Sequence, residues 1–144
     1  MFAIPLMIAA CVAWVLALSC SGASPKRKLL LESDHDAIFE ACQELLENRG
    51  GYRVDPSWSG DTQEELRLRY PDPTDPRIPL AIRSLGPSYI VVDEEFVILE
   101  MAGGFHHLGL KALSQERCDR SGGDPGISAP DVRKLRQCLW FYEE

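Results

Sequence analysis

Charged side chains are missing from residues 1–23, where the only charge is the terminal amine. A run this apolar partitions out of water, so it belongs in a bilayer or a translocon. Histidine is scarce, at three residues, and His-Glu-x-x-His does not occur. That removes the spacing by which one helix face holds zinc beside a general base. Cys-x-x-Cys is missing too, which leaves a zinc knuckle and a thioredoxin-like redox centre without support. Without a Gly-x-Ser-x-Gly elbow, Ser84, Ser88 and Ser114 have no identifiable partner for nucleophilic chemistry. No Lys/Arg stripe interleaves with aromatics, and 22 acidic against 15 basic side chains leave a net charge of −7. Such a surface repels phosphate backbones, so no nucleic-acid partner is expected.

Two readings fit the apolar head. As a signal peptide, its core runs over residues 3–18, and small residues follow at Ser19, Ser21, Gly22 and Ala23. Within it, Ala17-Leu18-Ser19-Cys20 has the look of a displaced bacterial lipobox, in which Cys20 would receive the lipid. As an anchor, about 20 residues rising 1.5 Å each just cross roughly 30 Å of hydrocarbon. The basic cluster Lys26-Arg27-Lys28 after the head would then keep the C-terminal part in the cytoplasm, because cytoplasmic flanks carry the positive excess. The same charge pattern counts against export, whose signals begin basic, whereas Pro5 and the small residues near Cys20 favour it. The expected location is therefore the bacterial envelope, membrane-associated or exported. The alternative is an N-terminal anchor with a cytoplasmic domain, and on either reading the head has the membrane as its partner.

Behind the head, residues 24–32 read as a basic linker and residues 33–144 as a single α+β domain. Roughly 120 residues bury a core without staples. Cys42, Cys118 and Cys138 make an odd number in this part. In an exported domain Cys118 and Cys138 are the natural pair, closing a Gly/Pro/Asp-rich loop for about 3 kcal/mol. In a reduced compartment all three are small buried hydrophobes, and spacing alone does not choose.

Residues 34–49 predict a helix. Ser33 serves as cap, Asp36 stands in the capping-box position, and Ile38, Phe39, Cys42, Leu45 and Leu46 form the buried stripe. Gly50-Gly51 reads as a left-handed stop, and Glu40, Glu44 and Glu47 as a solvated face. The proline-rich stretch after it is a surface connection, with a short helix over residues 61–69 and another over residues 80–85. Runs over residues 89–92 and 96–99, joined by Asp93-Glu94-Glu95, predict a β-hairpin, and residues 105–110 a third strand. Ser128 caps a last helix with Val132, Leu135 and Leu139 as its stripe. The expected fold is α+β: a small antiparallel sheet of about three strands, covered by an N-terminal amphipathic helix and a C-terminal helix.

Chemistry is thin. His106 and His107 would face opposite sides of a strand and could share a metal only across a bulge. Either could act as a base or ligand with His35 and Asp34 or Asp36, against the plainer reading of a cross-strand residue and a hydrogen-bonded core member. Gly103-Gly104 reads as a bend before a strand, not a phosphate cradle. No metal and no cofactor is expected. The leading expectation is an envelope-associated, non-enzymatic binding or structural domain. Trp140, Phe141 and Tyr142, which either close the core or stand exposed, would with the strand pair form its contact surface for a protein partner. The alternative is a small hydrolase or metal-dependent enzyme using His106 or His107. It requires one imidazole to line a concave pocket with a carboxylate or cysteine in reach.

Overall fold

The computed structural model describes residues 24–60, 65–102 and 106–144. The apolar head with Cys20, the beginning of the expected 61–69 helix and Gly103-Gly104 lie outside the described residues. Among the described residues no helix is long and apolar enough to cross a membrane.

The basic stretch read as a linker is helical. Pro25–Glu32 form α1, with proline at the helix start, where its missing N–H costs nothing. Its charges tie it down: Lys26 donates to the Met101 carbonyl (2.6 Å), and Arg27 pairs with Asp131 (2.8 Å) and Glu143 beside the Phe141 ring. Leu30, fully buried, supplies the apolar contact. Next comes α2, His35–Glu47, whose cap is Asp34 and not Ser33: the Asp34 carboxylate accepts from the Ala37 N–H at 3.1 Å. Its stripe buries Ile38, Phe39, Ala41, Cys42 and Leu45. Gly50 and Gly51 fall inside a short turn of helix, α3 (Arg49–Tyr52), and do not form the expected left-handed stop. That role is played further on by Gly86 (φ +63°), which ends α4, Leu80–Leu85.

The sheet has six strands, not three. They are β1 (Leu66–Arg69), β2 (Tyr89–Val92), β3 (Phe96–Ala102), β4 (Leu108–Leu113), β5 (Asp131–Arg136) and β6 (Leu139–Glu143). Their order is β1-β2-β3-β4-β6-β5, with every neighbouring pair antiparallel. The hairpin β2–β3 lies where its β-branched runs put it. Three expectations fail. The end of the supposed 61–69 helix is β1, because Leu66-Arg67-Leu68-Arg69 alternates with period two and lays its leucines against Val92 and Ile90. The third strand begins three residues later than expected. The C-terminal helix is instead the hairpin β5–β6: Cys138 at its turn holds φ +66°, which cannot continue a helix, and the aromatic run after it prefers a strand.

Period-two alternation sorts the sheet into two faces. On one, the row Ile90, Leu99, Leu110, Phe141 is fully buried under α1, α2 and α4. On the other, α5 (Gln115–Arg120) and the loop after it cover the β6 end, where a Cβ added to Gly123 would lie 4.0 Å from the Trp140 ring. The Cys118–Cys138 disulfide pins this cover to the β5–β6 turn. Among the described residues, no helix lies over that face around β1, β2 and β3.

Candidate functional site

The uncovered half of the sheet is a cleft of about 390 Å³. Two cross-strand rows build it: Arg69, Tyr89, Glu100 and, past Gly109, Tyr142, and beside it Arg67, Val91 and Ile98, with Lys111 next in that row lining the adjoining cavity. Strand alternation points these side chains away from the helices, since their neighbours in sequence fill the core. The floor is Val91 and Ile98, flanked by the Tyr89 and Phe96 rings. Cations stand on both rings: the Arg69 guanidinium carbon lies 5.7 Å from the Tyr89 centroid, and the Lys111 ammonium 4.5 Å from that of Phe96. Burial lowers the Lys111 pKa, with Arg117 adding to the effect.

His107 closes the other end. Its Nδ1 lies 2.9 Å from Glu100 Oε1, and because a carboxylate only accepts, Nδ1 is the donor in this contact. Tyr142 lies across the strand at Gly109, where a Cβ would strike the Leu99 carbonyl oxygen and stand 2.7 Å from the phenol oxygen. Only glycine permits that approach. Burial, with Glu100 and Glu144 nearby, holds the phenol well above its ordinary pKa, so it remains a hydrogen-bond donor across the neutral range. A second cavity on the same face shares Ile98, Glu100, His107 and Tyr142 and runs under Ile127 and Ser128.

The structure separates the three histidines. His106 and His107 precede β4 and diverge. His107 enters the cleft, whereas exposed His106 sits 3.0 Å from the Glu144 backbone oxygen. His35 bonds the Leu30 carbonyl at 2.9 Å within the helix layer, on the opposite side of the sheet. Asp34 is spent as a cap and Asp36 pairs with Arg136, so no cluster forms around His35. Among the described residues no three His, Cys, Asp or Glu side chains converge to hold a metal ion.

Trp140, Phe141 and Tyr142 are 4, 0 and 8% exposed, so they close the interior. As a joint contact surface the three are therefore corrected: Phe141 fills the core, Trp140 lies under the Gly123 loop, and Tyr142 alone reaches the cleft. Cys118 and Cys138 are joined, while Cys42 is a free buried thiol pushed up to about 12 by desolvation and is chemically quiet. Sequence reasoning missed Arg67, Arg69, Tyr89, Glu100 and Lys111 as neighbours of one cleft. The Leu-Arg-Leu-Arg alternation was the available signal, because it puts both arginines on one face once it is read as a strand.

A third cavity lies in the helix layer, lined mainly by Leu29, Ala37, Ile38, Leu80, Ala81 and Leu85. No protein-family model matches the chain, and neither a curated protein nor a solved structure is similar to it.

Proposed function

We propose that the chain is a non-enzymatic binding domain, held at a bacterial envelope by its apolar head, and that the cleft beside His107 is its ligand site. One observation carries this reading: among the described residues part of one sheet face is left uncovered, a concavity with Val91 and Ile98 as its apolar floor, aromatic rings beside them and charged or hydrogen-bonding side chains around them. Ligand sites pair such an apolar surface with polar groups that fix orientation. The sheet's other face is sealed by helices, so the opening is local.

Amide spectra of the labelled full chain titrated with phenol test the site. Saturable shifts grouped at Val91, Ile98, His107 and Tyr142 are expected. Shifts confined to Ile38 and Leu85, or scattered evenly, contradict it. The envelope part of the reading has its own measurement: the intact mass of the mature protein distinguishes an uncut head, cleavage after Ala23 and a lipidated Cys20.

A specific contact also favours a second reading, that of a small hydrolase. His107 is oriented by Glu100 at 2.9 Å inside a concave site, the arrangement a general base needs. Among the described residues no serine, threonine or cysteine lines that cavity, which is why binding ranks first. If His107→Ala turns over p-nitrophenyl acetate as fast as the parent, the hydrolase is removed.

A further inference from the structure

We infer that the cleft takes an amphipathic organic anion, its apolar or aromatic body on Val91 and Ile98 and its acid group on the Arg69 guanidinium. The inference rests on the binding reading above and adds the class of ligand.

Most guanidinium groups of the chain already have acidic partners. Arg27, Arg77, Arg117, Arg120, Arg133 and Arg136 all lie within ion-pair distance of carboxylates. Arg69 differs: among the described residues its side chain makes no hydrogen bond or ion pair, and its guanidinium stands over the Tyr89 ring. Lys111 on Phe96 likewise has no acid within ion-pair distance among the described residues. The carboxylates of the cleft are engaged instead, Glu100 by His107 and Glu65 by Arg67. Among the described residues, the charged side chain of this cleft left without a bonded partner is therefore a cation, on a chain whose net charge is −7. An acid group finds an unpaired guanidinium there.

Geometry narrows the class. A guanidinium seated on an aromatic face keeps its in-plane N–H edge free, and that fork matches the two oxygens of a carboxylate, sulfonate or phosphate. Between Arg69 and His107 the surface is Val91, only 8% exposed, and half-buried Ile98, which bind hydrocarbon and not water. A small inorganic anion would leave that floor unused. A neutral hydrocarbon would leave the arginine unpaired. At the far end, the Nε2 edge of His107 and the Tyr142 phenol fit a hydroxyl or amide on the ligand body.

The test compares 2-naphthoate with its neutral isostere 2-naphthamide, by amide shifts of the labelled full chain in zwitterionic nanodiscs. Naphthoate is expected to shift Arg69, Tyr89, Val91 and Ile98 saturably and to bind at least about tenfold more tightly than the amide, the effect of one charged hydrogen-bonded pair. Arg69→Gln, an exposed change on an edge strand, should erase that difference while phenol still shifts the cleft. Equal affinity for acid and amide, or an Arg69→Gln protein that binds naphthoate like the parent, overturns the anion assignment and leaves the phenol-binding cleft standing. Loss of the phenol shifts in the parent overturns both.

Discussion

Ile98 and Leu99 are adjacent in β3, yet they belong to different molecules in an energetic sense. Leu99 sits in the fully buried row Ile90, Leu99, Leu110, Phe141, beneath helices. Ile98 looks the other way, into a cleft where two cations stand on two rings. One face is closed by apolar burial, worth roughly 25 cal/mol per Å². The opposite face keeps charge and curvature at a cost in burial, and on that side the short α5, the loop after it and a covalent link cover the β6 end. Stability and recognition are thus separated across one layer of backbone, and a period of two is enough to keep them apart.

The sharpest way to break this comparison is to truncate each neighbour. Leu99→Ala should cost about 2–5 kcal/mol in denaturant unfolding, and Ile98→Ala less than about 1, because only the first leaves a closed cavity. Equal losses would mean that the faces are not distinct. Second in size is the covalent link: replacing both Cys118 and Cys138 by serine should lower stability by about 3 kcal/mol, given the 20-residue separation. A reductant should reproduce the loss in the parent and do nothing to the double variant. Third, Gly109→Ala should cost about 1–3 kcal/mol by overpacking. The displaced Tyr142 ring should be visible as shifted aromatic resonances, together with shifts around Leu99, whose carbonyl the new Cβ also strikes. The smallest effect lies off the sheet. Hydrogen bonds from Ser57, then Arg77, lower the Asp55 pKa from 3.8 to about 2. A depressed carboxylate stabilises the fold above its unfolded pKa, so this contribution is present above pH 3.8 and is lost as pH falls toward 2. Ser57→Ala should raise the Asp55 midpoint in a carboxyl-detected titration, and an unchanged midpoint would show that the Ser57 contacts are not its cause.

Legibility followed sequence distance. Helix α2 and the β2–β3 hairpin were readable because their periodicities of 3.6 and 2 are complete within a few residues. The Cys118–Cys138 pair was one of two open alternatives, and the turn residues between them made it geometrically natural. By contrast, β5 offers little alternation: it is an edge strand with mostly exposed side chains, and Val132 and Leu135 also fit a helical stripe. The short helix expected over residues 61–69 outweighed the leucine–arginine alternation at its end. For α1, three consecutive basic residues suggested a solvated link, yet Lys26 and Arg27 have partners at positions 101, 131 and 143. No local pattern could announce those. In the site, His107 stood out by rarity alone, whereas Arg69 and Tyr89 became neighbours only through the β1–β2 register.

From the amino-acid order alone came the apolar head, the acidic balance, the α+β character and each segment whose periodicity closes on itself. Those depend on the side chains of a single turn or a single hairpin. Strand number and order, the helical state of the basic stretch, the inward placement of Trp140 and Phe141 and the existence of a cleft were settled in three dimensions. Each of these requires pairing between residues tens of positions apart. The free energy of that pairing depends on which surfaces are left to cover, and no short window of sequence contains that quantity.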